Sequence, residues 1–283
     1  MLELYGSVGI VAGLGQVVYL VAAFVLAWHL LARARRSRDM APLLLGIQLL
    51  FAMGFGYLLC AAGMGLAMLS ATPSRVLVQT LLAAGHGATI IGLSAALLFE
   101  RRVFWPDARW PLALMAGLMA AMGIGWLGAT TSGAFSTGSY ASGWVQLLTA
   151  GMLGTNLWVG IEPLLYHRKL ARRVPLGLAE PLVANRFLLW GLGSLARAAL
   201  ILMGPAAEAL LPVLGGEARN TFSAVTLVIA GSLGLATSVA YWLTFNPTPA
   251  YARWVERRYR GTSAAWPARS SSTSGISRPA RTR

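Results

Sequence analysis

VLVQTLLAAGHGATIIGLSAALLFERRVFWP, residues 76–106, joins a long apolar run to a compact group of charges. Its first 24 residues, 76–99, contain no charged side chain. A helix that crosses about 30 Å of hydrocarbon needs about 20 predominantly apolar residues. The run therefore predicts a membrane-spanning helix, and the arginines that follow Glu100 predict that this helix ends on the cytoplasmic side.

The whole chain has the composition of a membrane protein. Its 283 residues are 57% hydrophobic and only 11% charged, whereas soluble domains carry about 25% charged residues. Seven runs are long and apolar enough to span a bilayer: 8–32, 42–70, 76–99, 110–129, 142–166, 182–204 and 221–245. We therefore predict an all-α, polytopic membrane protein, in which residues 1–249 form a bundle of seven transmembrane helices.

Basic residues divide unequally between the two sides of these spans. The connections after the first, third and fifth spans, with Arg186 and the C-terminal segment, hold 20 of the 23 lysines and arginines. The connections on the other side hold only Arg75 and Arg219. Because short loops rich in lysine and arginine stay cytoplasmic, the N-terminus is predicted outside and the C-terminus inside.

The net charge of +14 would indicate nucleic-acid binding in a soluble protein. Here most of the charges border spans or follow the last one, so the expected partner is the anionic phospholipid of the cytoplasmic face, and no nucleic acid. Arginine outnumbers lysine by 22 to 1. That excess indicates a GC-rich genome, and we predict the inner membrane of a bacterium.

The segment after the seventh span is basic and partly aromatic. In YARWVERRYR, residues 251–260, the aromatic residues recur at helical spacing, which predicts an amphipathic interfacial helix at 250–260. Contacts with the lipid surface are predicted for Arg253, Trp254, Arg257 and Arg258. Residues 261–283 are rich in Ser, Pro and Arg and are predicted to be a disordered, basic cytoplasmic tail.

Three charged residues, Glu162, Arg186 and Arg197, fall inside predicted spans, where charges are costly and often mark function. Arg197 lies eleven residues beyond Arg186, which places it on the same helix face and ~16 Å deeper. Glu162, near the cytoplasmic end of the fifth span, is a predicted partner for either arginine. A static ion pair and a conformational latch both fit this pairing. For Arg197, a bound anion and backbone carbonyls, which would make it a structural arginine, are the other expected partners.

Polar residues also form stripes on other predicted helices. Gln79, His86 and Glu100 lie on one face of the third span because multiples of seven residues separate them. His86 can bind a proton, a metal or haem, or can form an ordinary interhelical hydrogen bond. Tyr241 lies on a polar face of the seventh span. If these faces converge they line a polar cavity, and an arginine from a neighbouring loop is expected to hold Glu100.

Two seven-helix families share features with this chain. Glu100–Arg101 resembles the acidic–arginine motif of G-protein-coupled receptors. Asn246–Pro247 resembles the start of their Asn-Pro-x-x-Tyr motif, although three residues, rather than two, separate Pro247 from Tyr251 here. The helix layout is also similar to that of SWEET-type sugar transporters. These resemblances cover few residues, and we assign the chain to neither family.

Motifs that would indicate catalysis are missing from the sequence. It contains no nucleotide-binding loop, no Gly-x-Ser-x-Gly elbow and no zinc-binding motif, so we expect a non-enzymatic protein without cofactor or metal. The leading hypothesis is an inner-membrane sensor or assembly component, with a small-molecule ligand or a protein partner in the membrane. The alternative is a small-solute or anion transporter with a cavity near Arg197, His86 and Glu162.

Overall fold

The computed structural model of the chain describes residues 2–69, 72 and 74–260, so the predicted tail at 261–283 lies outside the described residues. The described part is helical and contains no β-strand, which confirms the all-α class. Its α-helices are α1 Leu2–Ser37, α2 Met40–Gln48, α3 Gly56–Leu69, α4 Arg75–Phe104, α5 Trp110–Thr131, α6 Gly143–Arg173, α7 Pro181–Leu210, α8 Gly216–Phe245 and α9 Pro249–Arg260. A π-helical segment, Leu49–Phe55, joins α2 to α3, and 3-10 turns at Ala134–Thr137 and Leu211–Val213 precede α6 and α8.

Six helical stretches within the described residues are long and apolar enough to cross a membrane. They are Gly13–Ser37, Met40–Ala67, Arg75–Phe104, Trp110–Thr131, Pro181–Val213 and Thr221–Phe245. Helix α6, which covers the predicted span at 142–166, has 31 residues but falls outside this set. Polar residues such as Thr155, Asn156 and Glu162 dilute its apolar sequence. The protein is thus a multi-pass, helical chain with at least six helices suited to a bilayer.

The helices pack in chain order and close into a ring. Consecutive helices contact one another from α3 to α8, α1 contacts α2, and α8 returns to pack against α1. One buried apolar cluster, which includes Met53, Val159 and Tyr241, lies among α1, α2, the π-helical segment, α4, α6, α7 and α8. A second, which includes Leu82 and Met122, lies among α4, α5 and α6. The ring therefore has two apolar centres, and the space between them is available for a site.

The π-helical segment interrupts what the sequence predicts as one long span at 42–70. A close approach of α4 accompanies it, because a Cβ atom on Gly92 would lie 2.5 Å from the backbone nitrogen of Ala52. Only glycine permits that distance between the two backbones. Segments of π-helix are rare and occur frequently at functional sites, and residues of this segment contribute to the cavity described below.

Helix α9 lies against α7 at the end of the bundle that carries the arginine-rich connections. Val255 is fully buried, and the side-chain nitrogen of Asn185 on α7 donates a 2.6 Å hydrogen bond to the hydroxyl of Tyr251. Trp254 is exposed, and the guanidinium of Arg258 lies 5.6 Å from the centre of its ring. Lipid contact by the exposed arginines of α9 stays a prediction.

Candidate functional site

A cavity of about 290 Å³ lies inside the helical ring. Residues from α1, the π-helical segment, α3, α4, α6, α7 and α8 line it, so nearly every helix of the ring contributes to its wall. The surface of the cavity is mainly apolar. Its polar side chains include Gln16, Tyr19, His86, Thr89 and Arg197. Such a mainly apolar cavity with a few convergent polar groups is the usual form of a small-molecule site.

Arg197 is the charged residue in the cavity wall. Its side chain is 6% exposed, and its Nη1 atom has no hydrogen-bond partner. The hydroxyl of Tyr19 is close enough to interact electrostatically with the guanidinium. Within the described part of the chain, no carboxylate forms an ion pair with Arg197. A buried charge is costly unless it is paired and hydrogen-bonded, so this guanidinium is poised for an anion.

His86 lies in the same cavity wall as Arg197, on helix α4. Its Nδ1 atom is buried without a hydrogen-bond partner, and its ring stacks on Phe135 at a centroid distance of 5.0 Å. Phe135 is itself almost fully buried and belongs to the uncharged connection between α5 and α6. We call residues 132–142 of that connection the cap segment. It lies beside the cavity wall, on the side away from the arginine-rich connections.

Two further contacts hold the cap segment on the bundle. The hydroxyl of Ser139 and the backbone N–H of Tyr140 both donate to the carboxylate of Glu208 on α7. Burial raises the pKa of the Tyr140 hydroxyl, and the nearby Cys60 and Glu208 raise it further. Cys60 lines the cavity, so Tyr140 places the cap segment directly beside the cavity wall.

Tyr241 lies behind the cavity rather than in its wall. Its hydroxyl is 3.0 Å from the hydroxyl of Ser194, one turn before Arg197 on α7. Its ring packs against Trp190 at 5.2 Å, and the missing side chain of Gly193 leaves room for it, since a Cβ there would lie 3.2 Å from the ring. Tyr241 and Trp190 therefore form an aromatic layer that closes the inner end of the cavity.

Glu100 lies on the far side of this aromatic layer. Its carboxyl group is fully buried, and neither oxygen has a hydrogen-bond partner. The indole of Trp190 lies beside it without completing a hydrogen bond, and Glu162 is close enough to interact electrostatically. The expectation that an arginine from a neighbouring loop holds Glu100 is therefore wrong. Arg101 follows it directly, but the Nε atom of Arg101 is itself buried without a partner.

The expected ion pair of Glu162 does not form with either arginine in the described structure, where the Nε of Arg186 and the Nη1 of Arg197 have no hydrogen-bond partner. The packing of α6 on α7 supplies the reason for Arg197. A Cβ on Gly191 would lie 2.8 Å from the carbonyl oxygen of Gly160, so these residues are level in the antiparallel pair. Glu162, two residues after Gly160, is then level with position 189 of α7. At 1.5 Å per residue, Arg197 lies ~12 Å along the axis from Glu162, and Arg186 lies ~4.5 Å away in the other direction.

The remaining predicted site residues lie outside the cavity. The side-chain amide of Gln79 donates a 2.9 Å hydrogen bond to the carbonyl oxygen of Thr130, which ties α4 to α5. Arg186 is partly buried near the start of α7 and does not line the cavity. Among the described residues, no group of three or more His, Cys, Asp or Glu side chains could hold a metal ion.

Sequence reasoning did not find Gln16 and Tyr19, which bring α1 into the cavity wall, or the glycines of α8 that complete it. Gln16 was a detectable signal, since it is a polar residue inside an apolar run. No protein-family model, curated protein or solved structure matches the chain. The fold and the cavity of this protein are therefore interpreted from its own residues.

Proposed function

We propose that this chain is a non-enzymatic bacterial inner-membrane protein with seven spans, and that it senses a small anionic ligand bound in the Arg197 cavity. Helix α6 supplies the seventh span. Its polar residues Thr155 and Asn156 are buried, and both donate to carbonyl oxygens one turn earlier in the same helix, at 2.9 and 2.8 Å. Because these polar side chains are buried and hydrogen-bonded, α6 can lie within the hydrocarbon of a bilayer.

Orientation follows from the arginines. All connections that are rich in arginine lie at the end of the bundle that carries α9, and the cap segment at the other end has no charge. The positive-inside rule then places the N-terminus outside and the C-terminus in the cytoplasm. The cap segment and the nearby cavity face the exterior, while α9 meets anionic phospholipid on the interior.

The single observation that carries the binding function is the unpaired guanidinium of Arg197 in the cavity wall. A structural arginine would be expected to donate to backbone carbonyls or to a carboxylate, and in the described structure its Nη1 atom has neither. A ligand that supplies a negative charge removes the cost of burying this group. An interior cavity that binds such a ligand favours the role of a sensor, because an assembly component needs no interior cavity.

A transporter is the second candidate, and the buried carboxyls favour it. Glu100 and Glu162 continue the series of interior polar groups beyond the aromatic layer of Trp190 and Tyr241. Alternate opening of the cap segment and of this layer would expose the cavity to each side in turn. The two candidates share the anion site and differ in whether the ligand crosses the membrane.

Cys60 offers a direct test of the anion site, because it is the only cysteine of the chain and it lines the cavity. Methanethiosulfonate reagents that carry a sulfonate or a trimethylammonium group would be reacted with the reconstituted protein. We measure the ratio of the reaction rate of the anionic reagent to that of the cationic reagent. We expect this ratio to be about tenfold higher in wild type than in the Arg197→Gln variant, which corresponds to about 1.4 kcal/mol of attraction.

Arg186→Gln is the matched control, because this arginine lies on the same helix outside the cavity. Equal selectivity in wild type and Arg197→Gln would rule out the anion site. Uptake of benzenesulfonate, a non-permeant anion, into liposomes then separates the two candidates. Uptake that requires Arg197 indicates a transporter, whereas binding without uptake indicates a sensor.

A further inference from the structure

We propose that the ligand of the Arg197 cavity is a small monocarboxylate with an apolar tail, such as a medium-chain fatty acid. The inference rests on the proposed function and specifies the chemistry of its ligand. Three properties of the cavity carry it: a single positive charge, neutral hydrogen-bond donors in the rest of the wall, and a mainly apolar surface of limited size.

The charge of the cavity selects a monoanion. Arg197 is the charged side chain among the lining residues, and within the described structure no second guanidinium or ammonium group joins it. One guanidinium neutralises one negative charge, and a planar carboxylate can accept two parallel hydrogen bonds from it. A second charge on sulfate or phosphate would stay buried without a partner, which is costly in an interior of low dielectric.

The other donors of the cavity wall are neutral, so they cannot balance the second charge of a tetrahedral dianion. The hydroxyl of Thr89 already donates to the carbonyl oxygen of Gly85 at 2.9 Å. Gln16, Tyr19, Tyr57 and His86 remain as neutral donors in the wall. A carboxylate has only two oxygens and is satisfied by the guanidinium and one or two of these groups.

The rest of the wall fits a hydrocarbon tail. Leu200 and Ile201 follow Arg197 by one turn of α7, and Met152, Ala230 and Gly231 complete this apolar part. An apolar cavity of about 150 Å³ holds benzene, so the cavity of about 290 Å³ has room for roughly twice as many non-hydrogen atoms. Octanoate, with eight carbon and two oxygen atoms, fills such a space and places its charge at one end.

Protection of Cys60 from N-ethylmaleimide tests this ligand class on the full chain in lipid nanodiscs. Octanoate at ten times its dissociation constant should slow the reaction about tenfold, because only the free fraction reacts. Octanamide has the same length without the charge and should not protect. Sulfate has the charge without the tail and should not protect. Benzoate tests whether an aromatic tail replaces the aliphatic one.

Arg197→Gln should lose protection by octanoate, whereas the Arg186→Gln control should keep it. Arg197→Lys keeps the charge and should keep part of the protection. The comparison of octanoate with octanamide needs only the wild type, so it remains decisive if a variant fails to fold. Cys60→Ala gives the background of the labelling assay.

The possible outcomes separate this inference from the proposed function. Equal protection by octanamide, or protection by sulfate alone, would overturn the monocarboxylate while leaving a ligand-binding cavity. No protection by any of the four compounds would also overturn it. Equal charge selectivity of Cys60 labelling in wild type and Arg197→Gln, measured with the sulfonate and trimethylammonium reagents, would overturn the anion site and with it the proposed function.

Discussion

The imidazole of His86 and the phenyl ring of Phe135 are stacked, with centroids 5.0 Å apart and planes inclined by 22°. One ring belongs to the cavity wall and the other to the cap segment, so this pair joins the two. If the cap segment controls access to the cavity, as the transport mechanism proposed above requires, the stability of this contact sets how often the cavity is open.

Replacement of Phe135 by leucine should open the cavity more often. Leucine keeps most of the apolar volume but loses the stacked contact, which is worth about 0.5–1.5 kcal/mol. We expect N-ethylmaleimide to label Cys60 several-fold faster in Phe135→Leu than in wild type. Thr137→Ser, at an exposed position of the cap segment, keeps the hydroxyl that accepts from the N–H of Ser139; it is the control and should leave the rate unchanged. Equal rates in all three proteins would show that labelling does not depend on this contact.

The carboxylate of Glu208 holds the cap segment through Ser139 and Tyr140. Glu208→Gln keeps the shape but replaces two charge-assisted hydrogen bonds by neutral ones, and should cost about 1–2 kcal/mol. A lower midpoint of thermal unfolding would register this loss. Asp107→Asn removes an exposed acid at the opposite end of the bundle and should not change the midpoint. A larger drop for Asp107→Asn than for Glu208→Gln would contradict the assignment.

Glu100 should tolerate conversion to glutamine. The buried carboxyl group has no hydrogen-bond partner, and an unpaired buried charge is more costly than a neutral amide. Thermal unfolding at neutral pH should therefore show Glu100→Gln to be as stable as wild type or more stable. Glu162→Gln, at a partly buried position, should have a smaller effect. A strongly destabilised Glu100→Gln variant would mean that the carboxylate has a cationic partner.

The hydrogen bond between Asn185 and Tyr251 should govern how firmly α9 is held. Tyr251→Phe removes the hydroxyl of this 2.6 Å contact and should cost about 1 kcal/mol. Trypsin should then cleave at the arginines of α9 about fivefold faster. Asn185→Ala removes the same contact from the other side and should have a similar effect. Tyr166→Phe, at an exposed tyrosine of α6, should cleave as wild type does.

The contact of α4 with the π-helical segment at Gly92 predicts that replacement of glycine by alanine destabilises the protein at Gly92 and stabilises it at Gly117. A Cβ on Gly92 would lie 2.5 Å from a backbone nitrogen, whereas one on Gly117 would meet nothing within 4 Å. Gly92→Ala should lose about 1–3 kcal/mol through overpacking, and Gly117→Ala should gain up to about 1 kcal/mol of helix propensity. Thermal unfolding of both variants in the same detergent checks this. A neutral Gly92→Ala would mean that the backbones can separate at no cost.

Much of the fold could be predicted from the sequence because a bilayer restricts what a chain can do. Apolar runs of the required length become helices, and the six stretches suited to a membrane coincide with predicted spans. Helix α6 forms at its predicted position but is not among these six stretches, so its membrane span stays a prediction. The π-helical segment could not be predicted, because it depends on how closely α4 approaches.

The site was less accessible to prediction. Arg197 and His86 could be identified as interior polar residues, and the structure places both in one cavity wall. The partners of Glu162 could not be identified, because they depend on the register of α6 on α7, which Gly160 and Gly191 set. The cap segment carries no charge and no motif, so only its folded contacts show its position beside the cavity.

Helix α7 carries Arg197 in the cavity and Asn185 at the contact with α9, and no proline separates the two positions. An uninterrupted helix behaves as a rigid rod over such a length, about 18 Å for twelve residues. The cavity wall at Arg197 and the anchor of the surface helix α9 at Tyr251 therefore belong to one stiff element, so any shift of α7 at one of these positions displaces the other.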